Sequence, residues 1–169
     1  MRSLDSGWKA QHAKGIELLQ ADALKNIPWL VHAFSTRIGF NKWDTPAAVI
    51  ANRRKLVEAV GAPRMALASL RQVHSDVAHI VCAPPAESPA GDAAITRYPG
   101  VLLSVQTADC VPILLVDTKQ RIVAAVHGQY PGQRFSRTSG IDLHHDQVRF
   151  GWQLAAADGS VTVAGLDVG

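Results

Sequence analysis

The chain contains no apolar run of the roughly 20 residues that a helix needs to cross a bilayer. Its opening segment, Met1 to Lys14, is polar and lacks the apolar core of a secretory signal. Cysteine is scarce: Cys82 and Cys110 are the two present, and they fit no Cys-x-x-Cys pattern. One disulfide stays open as a reading, but without an export signal reduced thiols are expected. Basic residues are scattered, with only Arg53-Arg54-Lys55 adjacent, and that triplet reads as the solvated face of a helix. No basic stripe of the nucleic-acid type exists, and no internal repeat is visible. These absences predict a cytoplasmic protein with neither nucleic acid nor membrane as partner, and they leave the oligomeric state open.

What is present suits one folded unit. A chain of 169 residues with 47% hydrophobic and 18% charged residues can bury a sizeable core. Trp29 to Phe34 reads as a strand, and the polar turn Ser35-Thr36-Arg37 follows it. A helix comes next. Asp44 and Thr45 are N-cap candidates, Pro46 suits the first turn, and Gly61 with Pro63 marks the end. Val49, Ile50, Leu56, Val57 and Val60 give it one apolar face. Strands are then expected at 67–73, 77–81, 101–107, 111–116 and 122–126, with Asp117 to Gln120 turning a hairpin. One helix followed by many strands predicts an α+β fold with a largely mixed or antiparallel sheet. Residues 1–45 are loosely patterned. Beyond Gly128 the pattern is lost except for a weak strand at 161–164, so the chain divides into 1–128 and a poorly patterned tail, 129–169.

The polar group Gln106-Thr107-Ala108-Asp109-Cys110 interrupts the longest apolar text in the chain. Buried polar groups cost free energy unless something binds them. His74 and His127 also stand where strand-like runs stop. A catalytic zinc commonly takes three protein ligands and leaves a fourth position open, so His74, Cys110 and His127 form a candidate set. The spacing alone is compatible with a space-filling cysteine as well. His32 and His79 sit beside apolar runs and read as hydrogen-bonded structural histidines, and His144-His145 lies in the tail. These four are not taken as ligands.

The blocks Phe34-Ser-Thr-Arg37, Leu70-Arg-Gln-Val-His-Ser75, Gly91-Asp-Ala-Ala-Ile-Thr96, Gly100 to Asp117 with its Thr-Ala-Asp-Cys core, and Val123-Ala-Ala-Val-His127 occur in order. Together they resemble the laccase-domain family, also called YfiH-like or polyphenol oxidoreductase, over residues from about 29 to 127. The resemblance implies an α/β sandwich, an α+β fold of mixed β-sheets with flanking helices. It also implies zinc or copper held by His74, Cys110 and His127, and purine nucleoside and phosphate as substrates. The implied chemistry is phosphorolysis of adenosine, inosine and methylthioadenosine, with deamination of adenosine as a further activity. Cleavage at C1′ builds positive charge on the sugar, and the attacking phosphate needs a cation. Arg37 is the candidate for that role, because guanidinium binds oxyanions bidentately. Cys110, His74 and Arg37 are thus the catalytic candidates, with Arg37 and Asp109 on the substrate. Asp109 and Asp92 are also weighed as proton carriers against readings as caps of a turn and of a strand end.

Two departures from the family pattern stand out. Members usually continue Ser-Thr-Arg with Gly-Gly-Val-Ser and an Asn-Leu-Gly segment, whereas here Ile38-Gly39-Phe40-Asn41 runs almost directly toward the helix. Members also follow the last histidine with Ala-Gly-Trp-Arg-Gly, where this chain has Gly128-Gln-Tyr-Pro-Gly. A frameshift near codon 128 accounts for that break; an intact downstream frame at the locus would support it, and a single clean frame would remove it. On that reading the C-terminal part of the sandwich is incomplete and catalysis is in question. Two alternatives remain: a cysteine hydrolase with Cys110 as nucleophile and His74 or His127 as base, and a non-catalytic metal-binding remnant. A multicopper oxidase needs more paired histidines than the chain's seven supply.

Overall fold

The computed structural model describes residues 3–4, 7–36, 38, 44–108, 110–128, 148–151 and 160–167. Its strands are β1 (Ser3–Leu4), β2 (Trp8–Ala13), β3 (Ile16–Ala21), β4 (Leu30–Ser35), β5 (Ala66–Ser69), β6 (Ala78–Ile80) and β7 (Ala93–Thr96). They continue with β8 (Val101–Thr107), β9 (Val111–Asp117), β10 (Ile122–Gly128), β11 (Val148–Gly151) and β12 (Ser160–Leu166). The helices are α1 (Asp22–Lys25) and α2 (Pro46–Ala59).

Among the described residues these strands form two mixed sheets, ordered β1-β2-β3-β4-β12-β8-β5 and β11-β9-β10-β7-β6. The pairs β5–β8 and β6–β7 are parallel and the others antiparallel. The sheets pack face to face. Leu103 and Val105 of β8 and Phe34 of β4 share one buried cluster with Leu114 and Val116 of β9 and Val123 and Ala125 of β10. Strand alternation sends neighbouring side chains the other way. Leu102, Ala33, Ile16 and Leu18 meet Leu56, Val57 and Ala59 of α2 on the outer face of the first sheet. The expected α+β architecture with flanking helices is borne out.

Helix α2 begins where its punctuation says. The Thr45 side chain accepts from the Ala48 amide at 3.3 Å and Pro46 occupies the first turn. Ile50 was expected on the buried face but is 68% exposed. The contact stripe runs through Leu56, Val57 and Ala59, and Ile50 falls off it. Between β9 and β10 the Asp117 carboxylate accepts from the Lys119 and Gln120 amides, both at 2.9 Å, which closes the expected hairpin turn.

Three stretches differ from expectation. The loosely patterned N-terminus holds a hairpin, β2–β3, turned at Lys14 (φ 53°) and Gly15 (φ 70°). Two successive positive φ values give the type I′ turn that matches strand twist. The strand expected through Val73 ends at Ser69, because residues 70–77 wrap around Asp92 instead. The weak strand at 161–164 lengthens to β12 and lies between β4 and β8 in the first sheet. No helix among the described residues is long and apolar enough to cross a membrane.

His32 is a buried histidine of this framework, 2% exposed, and its Nε2 accepts from the Ala21 amide at 3.1 Å. Burial lowers its pKa to about 4. The unfolded chain therefore binds a proton at this site, near pH 6.5, before the folded chain does, so stability present above that pH drains away as pH falls toward 4. From pH 7 to pH 5 the loss is about 2 kcal/mol from this group. Urea denaturation at both pH values should show it in the wild type, with a smaller pH difference in His32→Gln. An equal difference in both proteins would count against a neutral His32.

Candidate metal centre

Chain routing brings the three candidate ligands together. β8 belongs to the first sheet and β9 to the second, so the chain passes from one sheet to the other between Thr107 and Val111. Cys110 sits at that crossing, half-buried. His127 is on β10, the neighbour of β9, and is buried at 5% exposure. His74 is exposed, on the loop between β5 and β6.

Cys110 Sγ lies 3.6 Å from His74 Nε2. The His74 and His127 ring centroids are 4.9 Å apart. One ligand atom from each of the three residues falls within 4.8 Å of the others. A tetrahedral zinc with ordinary Zn–N and Zn–S bonds holds its ligand atoms about 3.3–3.6 Å apart. The Cys110–His74 separation already meets this. One thiolate and two imidazoles are donors suited to zinc or copper. The residues fit the metal that the resemblance implies.

Hydrogen bonds hold the candidate ligands in place. Gln72 donates from Nε2 to the Gln106 carbonyl at 2.7 Å and accepts from the Gln106 amide at Oε1 at 2.8 Å. A side-chain amide thus extends the β5–β8 ladder past its end at Ser69–Ser104, steadying the chain that leads to Cys110. His127 Nδ1 is 2.8 Å from Asp92 Oδ1. Asp92 Oδ2 accepts from the Ser75 amide at 2.6 Å, the Ser75 hydroxyl at 2.8 Å and the Val73 amide at 3.3 Å. His74, between those two amides, has φ 60°, a left-handed conformation uncommon for a residue with a side chain. Burial works to raise the Asp92 carboxyl. Hydrogen bonds from the Ser75 amide, His127 and the Ser75 hydroxyl outweigh it and hold the pKa at about 2.

Asp92 therefore does not suit the role of mobile proton carrier, since both its oxygens are engaged. It caps the start of β7, but the bonds reach two ligand segments, a reach that its position after Gly91 did not signal. Gln72 has no role in the sequence reading beyond its place in the Leu70-Arg-Gln-Val-His-Ser75 block; as a polar residue two before His74 it carries little signal of this contact. His79 is structural, with Nε2 2.8 Å from the Ala90 carbonyl. Arg37, Asp109 and His144-His145 lie outside the described residues.

The family model for multi-copper polyphenol oxidoreductase laccase matches residues 31–134. A purine nucleoside phosphorylase of Deinococcus radiodurans is 37% identical over 136 residues, covering 71% of this chain and 50% of that protein. Among solved structures, Bacillus licheniformis YfiH superposes with a TM-score of 0.60 at 20% identity, over 73% of this chain and 52% of that one. YlmD from Geobacillus stearothermophilus gives 0.56 at 25% identity, over 75% of this chain and 51% of that one. The chain spans about half the length of the relatives it matches. Matched across more than half its own residues, it belongs to the multi-copper polyphenol oxidoreductase laccase family.

Proposed function

We propose that this chain carries the metal centre of a purine nucleoside phosphorylase, with His74, Cys110 and His127 holding zinc or copper. The convergence of those three donors carries the reading, and the name of the Deinococcus relative supplies its substrate class. The substrates are adenosine, inosine and methylthioadenosine, each with inorganic phosphate; adenosine deamination is a second activity of the same centre. The setting is cytoplasmic. When bound, the metal supplies a Lewis acid for a phosphate oxygen or a water. In phosphorolysis a phosphate oxygen forms the bond to C1′, the C1′–N9 bond breaks, and its electron pair leaves with the purine, which takes up a proton. Arg37, two residues beyond β4, is assigned to hold the phosphate oxyanion. Asp109, directly before Cys110 in the chain, is assigned to the nucleoside.

One observation favours a second reading. Cys110 Sγ is within reach of an imidazole nitrogen at 3.6 Å, which a cysteine hydrolase would also require. Purified chain loaded with zinc separates the readings. Hypoxanthine release from inosine that needs phosphate and stops with chelator is the expected result. Turnover indifferent to chelator but stopped by iodoacetamide would move the assignment to the hydrolase. Stoichiometric zinc without turnover would leave a metal-binding remnant.

A further inference from the structure

The carboxylate of Asp92 touches both histidine-bearing segments, one through each oxygen. Oδ1 faces the His127 ring, and Oδ2 gathers the amides on either side of His74 together with the Ser75 hydroxyl. The main chain reinforces the arrangement. The His127 amide donates to the Asp92 carbonyl at 2.7 Å, and the Asp92 amide donates to the Val77 carbonyl at 3.0 Å. At 3% exposure the side chain has little access to water.

We infer that Asp92 is the positioning residue of the centre, selecting the tautomer of His127 and holding the left-handed turn at His74 so that both rings present Nε2 to the Cys110 sulfur. An ionised carboxylate only accepts hydrogen bonds. The His127 nitrogen facing it at 2.8 Å is therefore the N–H, and the lone pair of a neutral ring is left on Nε2. A left-handed residue between two right-handed or extended ones turns successive amides toward one point, a concavity that takes an anion. Here the anion belongs to the protein, and the cost of the positive φ at His74 is met by those bonds. The inference rests on the metal reading of His74, Cys110 and His127, and adds to it the group that gives the two histidines their orientation.

Asp92→Asn is the discriminating change, because it preserves shape and alters which atoms donate. Three donors converge on Oδ2, so the amide oxygen takes that side and the NH2 group turns toward His127 Nδ1. His127 Nδ1 must then accept, and the ring proton moves to Nε2, the atom meant for the metal. Two measurements follow. Two-bond nitrogen–proton correlation spectra of the metal-free proteins should show His127 as the Nδ1–H form in the wild type and the Nε2–H form in Asp92→Asn. Competition with a chromophoric chelator should show zinc affinity lower by about 10- to 100-fold in the variant, the usual effect of removing a partner behind a histidine ligand. Ser75→Ala separates positioning from general structural loss. It removes the hydroxyl donor, lowers the melting temperature, and should leave the His127 tautomer unchanged with affinity within about threefold of wild type, well short of that 10- to 100-fold loss.

An Nε2–H wild-type ring, or an Asp92→Asn variant with unchanged tautomer and affinity, would overturn the inference. Should Asp92→Asn fail to fold, the wild-type spectrum alone decides it. A wild type that shows the Nδ1–H form yet binds no zinc removes the metal reading while leaving the His127–Asp92 assignment in place.

Discussion

Cys110→Ser is expected to lower zinc affinity by more than 100-fold and to abolish phosphate-dependent nucleoside cleavage with it. Serine keeps the size of the side chain but offers a neutral hydroxyl in place of a thiolate, and borderline metals discriminate strongly between those donors. On the proposed reading the change removes a ligand outright, so its effect should exceed the roughly 10- to 100-fold losses typical of partners behind the ligands. Folding should be little altered, because Cys110 is half-buried at a crossing between sheets and belongs to no buried cluster. Chelator competition reads the affinity, and thermal denaturation of the metal-free protein checks the fold. Unchanged affinity in Cys110→Ser would show that the sulfur does not hold the metal, however near it stands to His74.

Gly165→Ala should be the most destabilising small substitution in the first sheet. Gly165 pairs with Val31 of β4 on one side and Leu102 of β8 on the other. A Cβ there would run into the Val101 carbonyl oxygen, and would lie 2.6 Å from Met65 Cε and 3.0 Å from Leu102 Cα. The methionine tip can move. The β8 backbone cannot move freely, since it is paired with β5 on its far side. Overpacking of this kind costs on the order of 3 kcal/mol, which in a chain of this size lowers the melting temperature by about 10 °C. A variant that melts with the wild type would mean that β12 is not seated between β4 and β8. The experiment therefore tests the role of the C-terminal residues as well as one contact.

How readily each element could be read follows from the kind of signal it carries. α2 is bracketed by local chemistry, Thr45 and Pro46 at one end and Gly61 at the other. β8 and β10 are continuous apolar runs because both faces are covered, β9 is apolar with one face buried and the other half-buried, and the observed bounds of all three lie within a residue or two of those expected. The β2–β3 hairpin was not legible. The apolar–polar alternation of Trp8 to Gln11 breaks at His12, and Lys14-Gly15 is a weak version of the usual Asn-Gly turn. β12 carries a weak signal because small residues, Ala164 and Gly165, occupy a place where neighbouring backbones approach closely. Smallness looks like an absence of pattern until the neighbours are known.

The residue types of the centre and the family likeness come from short blocks of text, because donor chemistry and local motifs are properties of adjacent residues. That one thiol and two imidazoles meet was decided by tertiary structure. It depends on β8 and β9 entering different sheets, on β10 returning beside β9, and on the 70–77 loop closing around Asp92. Those are pairings between distant parts of the chain, settled by which faces can be buried together, and periodicity in one segment carries no information about them. Asp92 shows the difference most clearly: a carboxylate after a glycine in the sequence, and in the folded chain the contact between both histidine-bearing segments.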